Sequence, residues 1–180
     1  MSSASTPPFC IVSLNVHAFE DASEYKSNSS RLCTVLKTVS PHIDVLCLQE
    51  VFKQHINKEI VELQKSLNLP YVCTAHNNMK WGNAILSRHP FTHKHLYHLS
   101  CHRVLLCASI AFPVYSEQLQ QQSSIPLDIF CVHLDHRFEP NRAEQVQDIC
   151  QNCIPNYYSD TVVNKSIQQQ VTPAQRLHFI

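Results

Sequence analysis

Three apolar runs of the sequence each end in a polar side chain: "FCIVSLN" in Asn15, "IDVLCLQE" in Glu50 and "DIFCVH" in His133. A carboxylate and a carboxamide oxygen are hard donors suited to Mg²⁺ or Mn²⁺, ions that take one or two protein carboxylates and keep places for water and a substrate phosphate. A histidine within reach can move a proton to or from a phosphoryl group. Together the three make an inventory for metal-assisted phosphoester hydrolysis. Each also has a plainer reading: Asn15 could cap a turn, Glu50 could face solvent just past its strand, and His133 could be a satisfied core histidine.

What would bring them together is the order of elements. "FCIVSLNV" is short, apolar and β-branched, which suits a strand buried on both faces. "SNSSRLCTVLKTVS" reads as a helix with Ser29 or Ser30 at its N-cap, Leu32, Val35, Leu36 and Val39 on one face, and Pro41 as its stop. "IDVLCLQEV" is a second buried strand, and "QHINKEIVELQKSL" a helix with the stripe Ile56, Ile60, Leu63 and Leu67. Strand, helix, strand, helix predicts a parallel pair joined by a right-handed crossover. After Pro70, "YVCTAHN", "NAILSR", "FTHKHLYHLS" and "HRVLLCASIAF" are short antiparallel strand candidates, giving a mixed sheet.

"SEQLQQQSSIP", residues 116–126, reads as a polar surface loop. "LDIFCVHLDH" follows as another buried strand. "PNRAEQVQDICQNCI" is a third helix, with Pro140 near its start and Ala143, Val146, Ile149 and Cys153 on one face. In open α/β sheets ligands bind beyond the carboxyl ends of the strands. Asn15, Glu50 and His133 are therefore expected to be neighbours.

Composition narrows the class. A chain of 180 residues with 44% hydrophobic and 16% charged residues fits one globular domain. No apolar stretch reaches the roughly 20 residues of a membrane span. Fourteen basic and fourteen acidic residues cancel, so any phosphate recognition must be local, and nothing points to a partner protein. The nine cysteines sit mostly inside apolar runs, and "MSSASTPPFCIVSL" lacks the basic segment of a signal peptide. An intracellular, cytoplasmic protein with buried thiols is expected. Gly82 is the only glycine, so positions of positive φ must fall to Asn, Asp or His.

The cluster "HKHLYHLSCHRVLLC", residues 93–107, raises zinc, but it has no standard zinc spacing. Alternation puts His93 and His95 on one strand face and His98 on the other, as solvent-facing histidines.

In sequence order, "SLNVHAF", "DVLCLQEV", "WGNAILSRHP" and "FCVHLDHRFEPNRAEQVQDI" resemble signature blocks of the endonuclease/exonuclease/phosphatase superfamily. The resemblance implies a four-layered α/β sandwich with mixed β-sheets, present here in part. It implies divalent-metal-dependent hydrolysis of phosphoester or phosphodiester bonds, with Mg²⁺ or Mn²⁺ as cofactor. The substrate class stays open among nucleic acid, phospholipid headgroup and small phosphorylated metabolite. Glu50 would be the principal metal ligand, Asn15 a second contact to metal or phosphate, and His133 the histidine beside the scissile phosphate. Asn83 would line the substrate cleft. Arg137 would bind phosphate, or else pair with Glu139 or Glu144.

Family members continue with a Gly-Asp-x-Asn block, whose Asp activates water, and an Asp-His pair; this chain carries neither. Asp160 lacks the preceding Gly, and His178 follows Leu177. Residues 1–8 are expected to be a disordered N-terminus, residues 9–153 the family-like domain, and residues 154–180 an irregular tail. The alternative to an enzyme is a catalytically inactive fragment or pseudoenzyme acting as an interaction module.

Overall fold

A computed structural model describes residues 9–19, 29–40, 42–116, 121–165 and 177–179. The expected disorder of residues 1–8 concerns residues outside these. Two four-stranded sheets lie face to face. The first contains β1 (Ile11–Asn15), β2 (Val45–Phe52), β3 (Tyr71–His76) and β4 (Trp81–Ser87) in the order β1-β2-β4-β3. The second contains β5 (Phe91–Leu99), β6 (Arg103–Ser116), β7 (Gln121–Val132) and β8 (Leu177–Phe179) in that order. Parallel pairing joins β1 to β2 and β7 to β8, and the other neighbours are antiparallel, so both sheets are mixed.

The alternation of side chains along β2 shows why its run is apolar throughout. Leu46 and Leu48 face α1 (Ser29–Val39) and α2 (Val61–Leu67), packing with Cys33, Leu36, Leu63 and Leu67. Val45 and Cys47 face the second sheet and pack with Leu106, Ile129 and Cys131. The second sheet turns its other face to α3 (Glu139–Asp148) and α4 (Ile154–Lys165), where Leu105, Cys107 and Phe130 meet Ile149, Cys153 and Tyr157. Helices, sheet, sheet, helices: this is a four-layered α/β sandwich.

Several expectations are corrected. The first strand is an edge strand, half-buried rather than covered on both faces. On α1 the inward face is Ser29, Cys33 and Leu36, while Val35 and Val39 are exposed. The hydroxyls of Ser29 and Ser30 both donate to Glu62 on α2, and this tie sets the rotation of the helix. The polar segment 116–126 is not all loop: Gln121–Pro126 pairs with Ala111–Ser116 as a long hairpin arm, held by backbone bonds that polar residues make as well as apolar ones.

The third helix buries Gln145, Ile149 and Cys153, leaving Val146 exposed and Ala143 outside the packed face. Each step of four residues drifts about 40° around an α-helix. A wide π turn over Ile149–Cys153 absorbs that drift, so Tyr157 on α4 continues the same inward line. The expected irregular tail is therefore helical as far as Lys165. His93 and His95 face α4 rather than open solvent, the former ring against Tyr157 at 4.9 Å and the latter 3.9 Å from the Asp160 carboxylate. No helix among the described residues is long and apolar enough to cross a membrane.

Candidate active site

The ends of β1, β2 and β7 converge on one side of the sandwich. In the ladder between β2 and β4, Gln49 pairs with Asn83 and Val51 with Gly82, leaving Glu50 as an extra residue. This bulge gives Glu50 a φ of 57°, a left-handed conformation that is costly for any residue with a Cβ. Bulges of this kind re-aim a side chain, and strain of this kind collects at functional sites. The Glu50 side chain is only 20% exposed and opens onto a cleft of about 790 Å³.

Gly82 supports the arrangement from across the strand. A Cβ there would stand 1.7 Å from the Ala75 carbonyl oxygen, so only glycine lets β3 and β4 approach beside the bulge. The positive-φ positions do not fall to Asn, Asp and His alone: His17, Ala18, Phe19, Glu50, Lys80, Cys101 and His102 share them with Asn68. Four of these, His17, Glu50, Cys101 and His102, line the cleft.

Asn15, the last residue of β1, accepts the His17 backbone N–H on Oδ1 at 2.9 Å and donates through Nδ2 to His133 Nδ1 at 3.4 Å. With Nδ1 as acceptor, the imidazole proton lies on Nε2, which faces Glu50 Oε1 at 3.4 Å, longer than a good N–H···O bond. Burial is the main reason that His133 titrates below its ordinary value; the Arg103 guanidinium adds to the shift and the Glu50 carboxylate opposes it. The ring is therefore neutral at pH 7.

The loop that follows His133 is fixed from three sides. Asp135 accepts the backbone N–H groups of Arg137 and Phe138 at 2.8 and 2.9 Å. Those two bonds, Phe138 first, hold its carboxyl below the usual carboxylate range. The fully buried Gln145 accepts Asp135 N–H at 2.8 Å and donates to the Ser100 carbonyl at 2.9 Å. Arg142 donates to the Asp135 carbonyl at 3.1 Å. A buried glutamine is tolerated here because both ends of its amide are satisfied.

Asn15, Glu50, His133, Asn83 and Arg137 all line the cleft. Asn83 is buried and spends both N–H donors on the Val104 and Cys131 carbonyls, joining the two sheets; what it can offer a ligand is Oδ1. Glu139 is taken by Arg142, and among the described residues Arg137 makes no ion pair.

Sequence reasoning missed Arg103 at the start of β6. Its Nη2 lies 3.1 Å from His136 Nδ1, while its Nε is buried with no hydrogen-bond partner among the described residues, at the wall of the cleft. The available signal was a lone cation opening an apolar strand. Gln145 and Asp135 were legible as members of a block, but not as the clamp they form.

The donor set fits a hard cation that keeps much of its water. Glu50 supplies a carboxylate, and Asn15 Oδ1, with one bond made, keeps a second lone pair. Among the described residues no group of three His, Cys, Asp or Glu side chains is placed to hold a metal. Glu50 and Asn15 Oδ1 could thus offer two hard oxygen donors to a divalent cation, the rest of whose shell would come from water or a ligand.

A sequence model of the Endonuclease/Exonuclease/phosphatase family matches residues 12–159. No curated protein sequence matches the chain significantly. Solved structures share its fold at low identity. An endonuclease/exonuclease/phosphatase family protein from Leptotrichia buccalis superposes with a TM-score of 0.58 at 15% identity, over 81% of this chain and 61% of that one. D. rerio TDP2 complexed with a single-strand DNA product gives 0.51 at 17% identity, over 94% and 58%. ANGEL2, described as a 2',3'-cyclic phosphatase in complex with adenosine-2',3'-vanadate, gives 0.52 at 16%, over 79% and 47%. The chain thus spans between 47% and 61% of these structures.

Proposed function

The chain belongs to the endonuclease/exonuclease/phosphatase family, and from that premise we propose that its cleft binds a divalent cation and a phosphoester for hydrolysis. The observation that carries the proposal is the Glu50 bulge. A carboxylate is held at positive φ in a cleft, beside a neutral histidine and two guanidinium groups, with less hydrogen bonding than its burial calls for.

Glu50 would hold the cation, with Asn15 Oδ1 as a further oxygen. Mg²⁺ or Mn²⁺, when bound, supplies charge neutralisation at a phosphoryl oxygen. Arg103 and Arg137 would take the remaining phosphate charge, Arg103 through its unpartnered Nε. Asn15 fixes the tautomer of His133, so that Nε2–H is the donor that would hydrogen-bond a phosphoryl oxygen. The gap between Nε2 and Glu50 leaves that N–H without a short acceptor among the described residues, so it can donate a hydrogen bond to a phosphate oxygen. Among nucleic acid or nucleotide, phospholipid headgroup and small metabolite, we favour nucleic acid or nucleotide as substrate; the ligands named for ANGEL2 and D. rerio TDP2 support that reading. An intracellular setting agrees with the nine cysteines, all free and mostly buried among the described residues.

The test is Mg²⁺-dependent hydrolysis of bis-p-nitrophenyl phosphate. The expected result is slow turnover, abolished by EDTA and reduced to background in Glu50→Ala and His133→Ala. Turnover unchanged in both variants would overturn the assignment of the site. A second reading is binding without turnover. It is favoured if Mg²⁺ and phosphate bind in a Glu50-dependent way and no hydrolysis follows.

A further inference from the structure

One wall of the cleft is apolar although its floor is not. Met79 and Trp81 line the same cleft as Glu50 and His133, and they remain 58% and 36% exposed. The backbone that presents them is tied down. Asn77 ties down the turn that presents them: its Oδ1 accepts the backbone N–H groups of Met79 and Trp81 at 2.8 and 3.0 Å, and its own N–H donates to the Trp81 carbonyl at 2.8 Å. Its Nδ2 donates to the His102 carbonyl at 2.5 Å, joining this turn to the one before Arg103. From the other side, Lys53 N–H donates to the Lys80 carbonyl at 2.8 Å. The indole itself rests against Phe52, its cross-strand partner, with ring centroids 5.2 Å apart at 64°.

An indole supported on one side and bare toward a cleft that holds two guanidinium groups can meet a flat group. A sugar or inositol phosphate can lay a C–H face on an indole but has no π face to stack on it. A quaternary ammonium would bind an indole by cation–π attraction, but here it would have to enter beside the Arg103 and Arg137 guanidinium groups. A nucleobase has the planar face and no charge to oppose, and its phosphate would reach the arginines. Base–aromatic stacking tolerates any base, because every base has a π face, and the soft thioether of Met79 can fit around it. Resting on the phosphoester reading above, we propose that Trp81 and Met79 form a subsite for the nucleobase of a nucleotide whose phosphate lies toward Glu50 and His133.

Trp81 is the only tryptophan of the chain, so its fluorescence reports on this subsite alone. The protein is titrated with adenosine 5'-monophosphate, ribose 5-phosphate, phosphocholine and inorganic phosphate in the presence of Mg²⁺, with affinities measured by calorimetry. The expected result is quenching of the indole by the nucleotide and a preference of about tenfold or more over ribose 5-phosphate. Trp81→Ala and Met79→Ala should each weaken the nucleotide and leave ribose 5-phosphate unchanged, while Trp81→Tyr keeps most of the preference. Equal affinity of nucleotide and ribose 5-phosphate overturns the subsite, as do tighter binding of phosphocholine, a preference surviving in Trp81→Ala, and no binding by any probe. Should Trp81→Ala fail to fold, the wild-type comparison and Met79→Ala still decide.

The two levels of reading separate cleanly. Phosphates that bind through Mg²⁺ and Glu50 without distinguishing a base sink the subsite and keep the phosphoester site. A nucleotide that quenches Trp81 with no dependence on Mg²⁺ or Glu50 does the reverse.

Discussion

The two ends of β2 carry carboxylates with opposite treatment. Asp44, just before the strand, is buried and surrounded: its Oδ2 accepts the Cys10 backbone N–H at 2.9 Å, and its Oδ1 lies 3.1 Å from His42 Nε2, 3.6 Å from His89 Nε2 and 3.7 Å from Arg88 Nε. Glu50, near the other end, sits on a left-handed bulge, and its one polar side-chain partner among the described residues is His133, at 3.4 Å. A carboxylate whose acceptors are filled by its own chain holds the fold together. One that is strained into position and left short of partners is the one we propose to receive a ligand.

Substitutions can break this contrast. The largest effect is expected next to the bulge. Gly82→Ala drives a Cβ into the Ala75 carbonyl and should destabilise the protein by about 4 kcal/mol or more, measured by urea denaturation. Asp44→Ala should follow at about 3 kcal/mol, because it leaves the Cys10 N–H and the Arg88 guanidinium without their carboxylate. Its effect should be confined to stability, leaving the cleft and its metal affinity intact in the folded fraction.

At Glu50 the sign should change. Glu50→Gly removes the carboxylate but also the left-handed strain, so it should be more stable than Glu50→Ala by about 1 kcal/mol. If Glu50→Ala is the more stable of the two, the bulge is not strained and the contrast fails. The smallest effect is expected at a third, saturated carboxylate. The hydroxyls of Ser29 and then Ser30 hold Glu62 below its ordinary value of 4.5. Its contribution is complete above that pH and is lost as the pH falls through the depressed folded value. Glu62→Gln should therefore lower the urea midpoint slightly at pH 7, and the difference should vanish in acid.

The sequence made some of this legible and hid the rest for physical reasons. Apolar runs ending in Asn15, Glu50 and His133 pointed to strand ends, because burial on both faces of a sheet demands such runs and chemistry gathers where they stop. The left-handed bulge was hidden, since nothing in "LQEV" marks a glutamate for positive φ when glycine is the usual occupant. The inward face of α1 was misjudged by favouring Val35 and Val39 over Cys33, because the helix is turned by the Ser29 and Ser30 bonds to Glu62, a tertiary contact. The buried Gln145 broke the apolar pattern of α3 for a similar reason: its amide is satisfied by Asp135 and Ser100, from a loop and a turn distant in sequence. The polar arm at 121–126 gave no periodic signal because ladder bonds, not side chains, hold it.

The central claim is that the strained carboxylate, and not the satisfied one, receives a metal ion. Mn²⁺ binding followed by electron paramagnetic resonance tests it without requiring turnover. The account predicts one Mn²⁺ site in the wild type, retained in folded Asp44→Asn and weakened at least about tenfold in Glu50→Gln, since the site has a single principal carboxylate. Mn²⁺ binding unchanged in Glu50→Gln, or lost in Asp44→Asn with Glu50 intact, would contradict it.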